Sequence, residues 1–128
     1  MVQQVTQGIK ISVITQYKGS FVKGNKTQFA FSYSIKIENQ SKDTVQLISR
    51  YWNIKDSLNH TTIVQGEGVV GKKPILTPGE KHFYTSGCLL NSPIGAMEGH
   101  YVLINFKTKE EFKVPIPLFQ LTAEFSLS

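Results

Sequence analysis

Large apolar side chains recur at every second position through one stretch of the N-terminal half. Phe29, Phe31, Tyr33, Ile35 and Ile37 alternate with Ala30, Ser32, Ser34, Lys36 and Glu38. Successive side chains of a strand point to opposite faces, so this pattern predicts a strand with one dry side. Ile9, Ile11 and Val13 repeat it against Lys10 and Ser12. The run from Val45 to Ile54 is rich in β-branched and aromatic residues, which suit a pleated, half-buried surface. Further strands are expected at His60 to Gln65, Lys81 to Ser86, His100 to Phe106 and Glu110 to Leu121, about seven in all. No segment carries an apolar stripe at helical spacing.

Turn chemistry separates these runs. Thr77-Pro78-Gly79-Glu80 places Pro where φ must be near −65° and Gly where φ must be positive, as a type II turn requires. Asn39 to Asp43 and Ser57 to Asn59 are polar breaks, and Lys18 to Gln28 reads as a first loop. Pro115 and Pro117 stand two apart in the last run, so both missing N–H groups face the same side, which makes that strand an edge. The pattern predicts an all-β fold, a β-sandwich of about seven antiparallel strands. It is read as one domain over 1–128, with its core over about 9–121.

Composition agrees with a single core. A chain of 128 residues with 40% hydrophobic content buries enough surface to fold without a staple. Cys88 is the only cysteine, which rules out an intrachain disulfide and fits a reducing compartment. Met1 to Gly8 lacks the basic start and apolar run of a leader, and no stretch has the length to span a bilayer, so a cytoplasmic location without membrane contact is expected. The N-x-S/T tripeptides at Asn25, Asn39 and Asn59 then read as chance in a Ser/Thr-rich chain. Net charge is +5, carried by scattered lysines and the lone Arg50. Nucleic-acid readers concentrate Arg and interleave exposed aromatics with it, so no specific nucleic-acid partner is expected.

The candidate chemistry is sparse. Gly66-Glu67-Gly68-Val69-Val70-Gly71 matches G-x-G-x-x-G, but a dinucleotide site needs a helix to start there, and Lys72, Lys73 and Pro74 follow without a βαβ context. Two readings remain for the segment. One is a loop whose glycines permit positive φ and close backbone approach. The other is an anion nest for phosphate or pyrophosphate built on Gly66, Gly68, Gly71, Lys72 and Lys73. His60, His82 and His100 are far apart and belong to no metal-spacing motif, so no metal site is expected. Cys88 after Gly87 reads as a small buried hydrophobe, and the neighbours Glu110 and Glu111 point to opposite faces as surface charge. No catalytic residues and no cofactor are nominated. Arg50 and Trp52 share a strand face: exposed, they would anchor a partner, and in a sandwich the ring would instead sit in the core with the Arg stem across its edge.

These residues carry a resemblance. Val45 to Asp56 resembles the ApaG family's strand with its Ser-Arg-x-Trp centre, here Ser49, Arg50 and Trp52. The block Gly66-x-Gly-Val-Val-Gly71, Pro74, Leu76-x-Pro-Gly-Glu80, Tyr84-Thr-Ser-Gly87 and Pro93-x-Gly-x-Met-x-Gly99 is similar to that family's run in order and spacing. Phe112-x-Val-x-Ile-Pro117-x-Phe119 resembles its closing strand, so the likeness spans Ile9 to Leu121. It implies an immunoglobulin-like, fibronectin type III-like sandwich and supplies no catalytic residues. It also implies protein binding, since similar domains are appended to F-box proteins and to a polymerase-delta-interacting protein. Bacterial members are encoded near a diadenosine tetraphosphatase and associated with cobalt and magnesium tolerance, and Gly66 to Gly71 corresponds to the family's pyrophosphate loop. Two departures stand out: Lys18 to Gln28 lacks the family's Gln-Ser and Pro, and Lys73 replaces the usual Gln. The expectation is a non-catalytic module with an unidentified protein partner. The alternative is a phosphate, pyrophosphate or nucleotide binder, linked to dinucleoside polyphosphate or cobalt/magnesium homeostasis. A spare edge strand also makes a homodimer feasible.

Overall fold

A computed structural model describes residues 1–57 and 60–123, and among them there is no helix. Nine strands follow one another: β1 (Val2–Thr6), β2 (Ile9–Lys23), β3 (Lys26–Asn39), β4 (Val45–Asp56), β5 (His60–Glu67), β6 (Ile75–Leu76), β7 (Lys81–Leu90), β8 (Ile94–Asn105) and β9 (Glu111–Thr122). They form two antiparallel sheets, one in the order β1-β2-β3-β7 and the other β5-β4-β8-β9 with the short β6 beside β4. The molecule is thus an all-β sandwich. β1 and β2 pack on β9 and close one side, which leaves β7 and β5 as edges with no further strand beside them among the described residues.

The core is built by the alternation seen in the sequence. Phe29, Phe31, Tyr33, Ile35 and Ile37 of β3 are all buried, as are Ile9, Ile11 and Val13 of β2. From the second sheet, Val45, Leu47, Met97, Tyr101, Leu103, Val114, Ile116, Phe119 and Leu121 meet them. β4 changes phase once. A bulge between Leu47 and Ser49 moves the inward set from odd to even positions, so Arg50, Trp52 and Ile54 continue the face begun by Val45 and Leu47. Trp52 is 2% exposed, and its ring stands edge-on to Tyr33, Phe119 and Tyr101 at centroid separations of 5.3, 5.8 and 6.4 Å.

Two strands exceed the expected seven. β1 is joined to β2 by a two-residue turn with positive φ at both Gln7 and Gly8, and β6 is only two residues long. Neither shows alternation, because β1 is exposed on both faces, at Gln3 and Val5 on one and Gln4 on the other, and β6 is too short to have a period. The segment Lys18 to Gln28 is a hairpin rather than a loop: β2 runs on to Lys23, Gly24 and Asn25 turn the chain, and Lys26 begins β3. Apart from the exposed Phe21 and Val22 its residues are polar or glycine, as suits a hairpin whose two faces both meet water. The type II turn is present, with Gly79 at φ 89° and the Glu80 amide donating to the Thr77 carbonyl at 2.9 Å. β9 is an edge strand, consistent with Pro115 and Pro117.

Asn39, read from sequence as part of a polar break and a chance tripeptide, is fully buried. Its Nδ2 donates to the carbonyls of Asp43 and Leu76 at 2.8 and 2.9 Å, while its Oδ1 accepts from the Ser41 amide and hydroxyl at 3.0 and 2.6 Å. Its main chain adds Asn39 N–H to the Glu80 carbonyl and Gly79 N–H to the Asn39 carbonyl. One residue therefore ties the end of β3 to β6 by its side chain and to the turn before β7 by its main chain. Asn25 lies in the β2–β3 turn, whereas Asn59 lies outside the described residues.

Candidate binding site

The glycine-rich segment is a tight turn. Val69 and Lys72 exchange backbone hydrogen bonds of 2.8 and 3.0 Å around Val70 and Gly71, whose φ angles are 47° and 74°. Gly68 is also in the left-handed region, and a Cβ there would come within 2.4 Å of the Lys72 carbonyl oxygen. The Gly68 amide donates to the Ile48 carbonyl at 2.8 Å, so the amides of Gly68, Val69 and Lys72 are already engaged within the chain. Those of Val70 and Gly71, at the tip, have no partner among the described residues. Lys73 ion-pairs with Glu67 at 3.3 Å, while Lys72 is exposed near His82, whose pKa is lowered by burial first and by this lysine second.

Arg50 and Trp52 share one sheet face but have separate roles. Trp52 belongs to the core, so its ring is no surface anchor and the partner-binding reading of that residue is corrected. Burial of a large ring between two sheets gains far more than exposing it. Arg50 is half-buried beneath the glycine segment, where its Nη1 donates to the carbonyls of Glu67 and Gly68, both at 2.9 Å. Its nearest relation to Gly66 is steric: a Cβ at Gly66 would meet the guanidinium at 3.2 Å. Among the described residues no carboxylate lies within ion-pair distance of Arg50.

Between the sheets, Tyr84 and Tyr101 share a hydroxyl–hydroxyl hydrogen bond, and burial pushes both phenols well above their ordinary pKa. Burial likewise pushes the Cys88 thiol up to about 11, with the Asp56 charge a lesser cause. Such a thiol is overwhelmingly protonated at neutral pH and is a poor nucleophile. His60, His82 and His100 lie on β5, β7 and β8. His100 stacks on Tyr51 at 5.1 Å, its pKa lowered by burial and then by Lys113.

An apolar concavity lies elsewhere, on the outer face of the four-stranded sheet. It holds about 460 Å³ and is walled by Met1, Ile14 and Phe83 over a floor of Ser12, Ser34 and Thr85. Register explains it: Ile14 stands opposite Ser34, Ser34 opposite Thr85, and Lys36 between Ser12 and Phe83, so small hydroxyl residues run between bulky ones. Ile14 is 57% and Phe83 67% exposed, so together they line the groove with apolar surface open to solvent. Ser34 and Thr85 bond each other at 2.9 Å, but the Ser12 hydroxyl, in a residue only 4% exposed, has no hydrogen-bond partner among the described residues. Lys36 lines the same groove half-buried and without a carboxylate partner among the described residues. Sequence reasoning missed this site, because only the pairing of β2, β3 and β7 brings Ile14, Ser34, Lys36 and Phe83 onto one face.

A two-sheet all-β domain with an apolar groove on one outer face and no helix among its described residues defines the class of the protein. The chain belongs to the ApaG family: residues 20–105 match the ApaG domain model. It is 42% identical over 123 residues to Protein ApaG of Acidithiobacillus ferrooxidans, an alignment covering 96% of each chain. Against Protein ApaG of Beijerinckia indica it is 40% identical over 126 residues, 98% of this chain and 96% of that one. A structural-genomics X-ray structure superposes with a TM-score of 0.87 at 35% identity, covering 94% of this chain and 90% of the other. A Bordetella pertussis crystal structure gives 0.80 at 38% identity, covering 90% and 93%. No helix among the described residues is long and apolar enough to cross a membrane.

Proposed function

We propose that this protein is a non-catalytic binding module of the cytoplasm that engages a protein partner through the outer face of its four-stranded sheet. One observation carries the reading: a groove with exposed Ile14 and Phe83 as walls and Lys36 in its lining, without a carboxylate partner among the described residues. Exposed apolar patches rimmed by polar groups mark interaction sites on soluble domains. Lys10 and Lys81 flank Glu38 on the same face, which leaves the rim positive. The complementary partner is a segment with an apolar side chain for the groove and an acidic neighbour for Lys36. The protonated, half-buried Cys88 and the separated histidines support a binding role over catalysis, and a lone free cysteine suits a reducing compartment.

Affinity capture from native cytoplasm tests this reading. Wild type is expected to retain a partner that Ile14→Glu loses, with the variant's thermal midpoint unchanged because Ile14 points to solvent. Equal capture by both proteins would remove the groove from the account.

Anion binding at the glycine turn has one observation in its favour, the Arg50 guanidinium held beneath that turn without a carboxylate partner among the described residues. On that reading inorganic pyrophosphate shifts the Val70 and Gly71 amide resonances saturably, these being the amides at the turn's tip, and an unchanged spectrum would exclude it.

A further inference from the structure

We propose that β7 is a self-pairing edge: two copies of the chain join β7 to β7 about a two-fold axis at Ser86, making one continuous eight-stranded sheet. The inference goes beyond the groove: it shares Phe83 with it and otherwise rests on the free edge of β7 and on Leu89. A strand edge displays a row of unpaired N–H and C=O groups, and sheets blunt such edges with proline, lysine or bulges. β9 follows that rule, with Pro115 and Pro117. β7 departs from it. From His82 to Leu90 it contains no proline, no lysine and no break in register against β3, and among the described residues no strand covers its other side. β7 also exposes large apolar residues on its outer face, Phe83 at 67% and Leu89 at 54%, with only Thr85 and Gly87 between them.

The spacing of those residues fixes the register. In an antiparallel pair of identical strands, opposed residues must share both side-chain face and hydrogen-bonding direction, so their numbers add to an even sum. Centring on Ser86 sets Phe83 opposite Leu89 of the second copy and Thr85 opposite its Gly87. Phe83 then also lies diagonal to that glycine, which leaves room for the ring. Shifting the centre to Thr85 or Gly87 puts Phe83 opposite Gly87 or Asn91 and leaves the apolar pairs unmade. Charge permits the pairing despite the net +5. The one charged residue of β7 is Lys81, at its very start, so the two lysines end at opposite extremes of the new ladder. β5, the other free edge, is less suited: its inward row is His60, Thr62, Val64 and Gly66, and it has no pair of large residues flanking a gap.

Sedimentation of the full chain across a concentration series tests this proposal, with Phe83→Lys, Leu89→Glu and the double variant compared to wild type. All three change only exposed side chains, and circular dichroism checks their fold. Wild type is expected to sediment as a dimer, and each single variant to dissociate at least tenfold more readily. The double variant should recover the dimer, because the ammonium introduced in each copy then faces the carboxylate introduced in the other, and added salt should weaken that recovery. A monomeric wild type at every concentration, a dimer indifferent to both single changes, or a double variant that stays monomeric would each overturn the pairing. Ile14→Glu, which removes the groove, is expected to leave the dimer intact, so the two interfaces succeed or fail separately.

Discussion

Replacing Trp52 by alanine is expected to cost about 4 kcal/mol of folding stability, the middle of the range for truncating a buried aromatic residue. The ring is 2% exposed and touches both layers of the sandwich, Tyr33 from one sheet and Phe119 and Tyr101 from the other. Its removal opens a void at the point where the sheets are held together, and the backbones on either side are fixed by their own ladders and cannot collapse into it. Trp52→Phe keeps the edge-on contacts in part and is expected to lose less than half as much. Trp52 is the only tryptophan, so unfolding must be followed by circular dichroism in denaturant. An alanine variant with a wild-type midpoint would mean that the ring does not bridge the sheets.

Asn39→Ala is the second large effect, expected near ~3 kcal/mol, for a different reason. The substitution opens little volume but strands the carbonyls of Asp43 and Leu76 and the amide of Ser41, groups that are partly or wholly shielded from water. Each unsatisfied buried partner costs about 1–3 kcal/mol, moderated where water can enter. Asn39→Asp serves as the sharper variant. It keeps the shape but presents oxygen to the two carbonyls that now receive Nδ2–H, so at neutral pH it should be at least as damaging as alanine. Denaturant unfolding of both variants decides the matter, and an aspartate variant as stable as wild type would show that the amide is dispensable.

The contrast between these residues shows what alternation does and does not reveal. β3 was legible residue by residue because one face is dry along its length and the other is wet. The Thr77–Glu80 turn and the edge position of β9 were legible because Pro and Gly constrain φ whatever surrounds them. β1 and the outer end of β2 were not, since strands that meet water on both faces have no reason to alternate. Asn39 looked like any polar turn residue, and nothing local distinguishes a solvated asparagine from one whose partners arrive from Ser41, Asp43 and the distant Leu76. The core position of Trp52 could be weighed from its strand, whereas the place of Arg50 beneath the glycine turn needed the β4–β5 register. The groove and the β7 edge were hidden for a related reason. Phe83 and Leu89 continue an ordinary alternation, and only the sheet order reveals that their face points outward and that no described strand lies beyond them.

Gly99 illustrates the reverse case, a residue whose type was visible in the resemblance and whose cause appears only in space. A Cβ at Gly99 would fall 1.9 Å from the Tyr51 carbonyl oxygen, at the bulge between Met97 and Gly99 that lets β8 continue between β4 and β9.

Amide hydrogen exchange on the captured complex is the most direct measurement of where this protein binds. The groove reading predicts slowed exchange along the outer-face rows of β2, β3 and β7 around Ile14, Ser34, Lys36 and Phe83, with the Gly66–Lys73 segment unchanged. Protection confined to that segment, with the outer face exchanging as in the free chain, would contradict it.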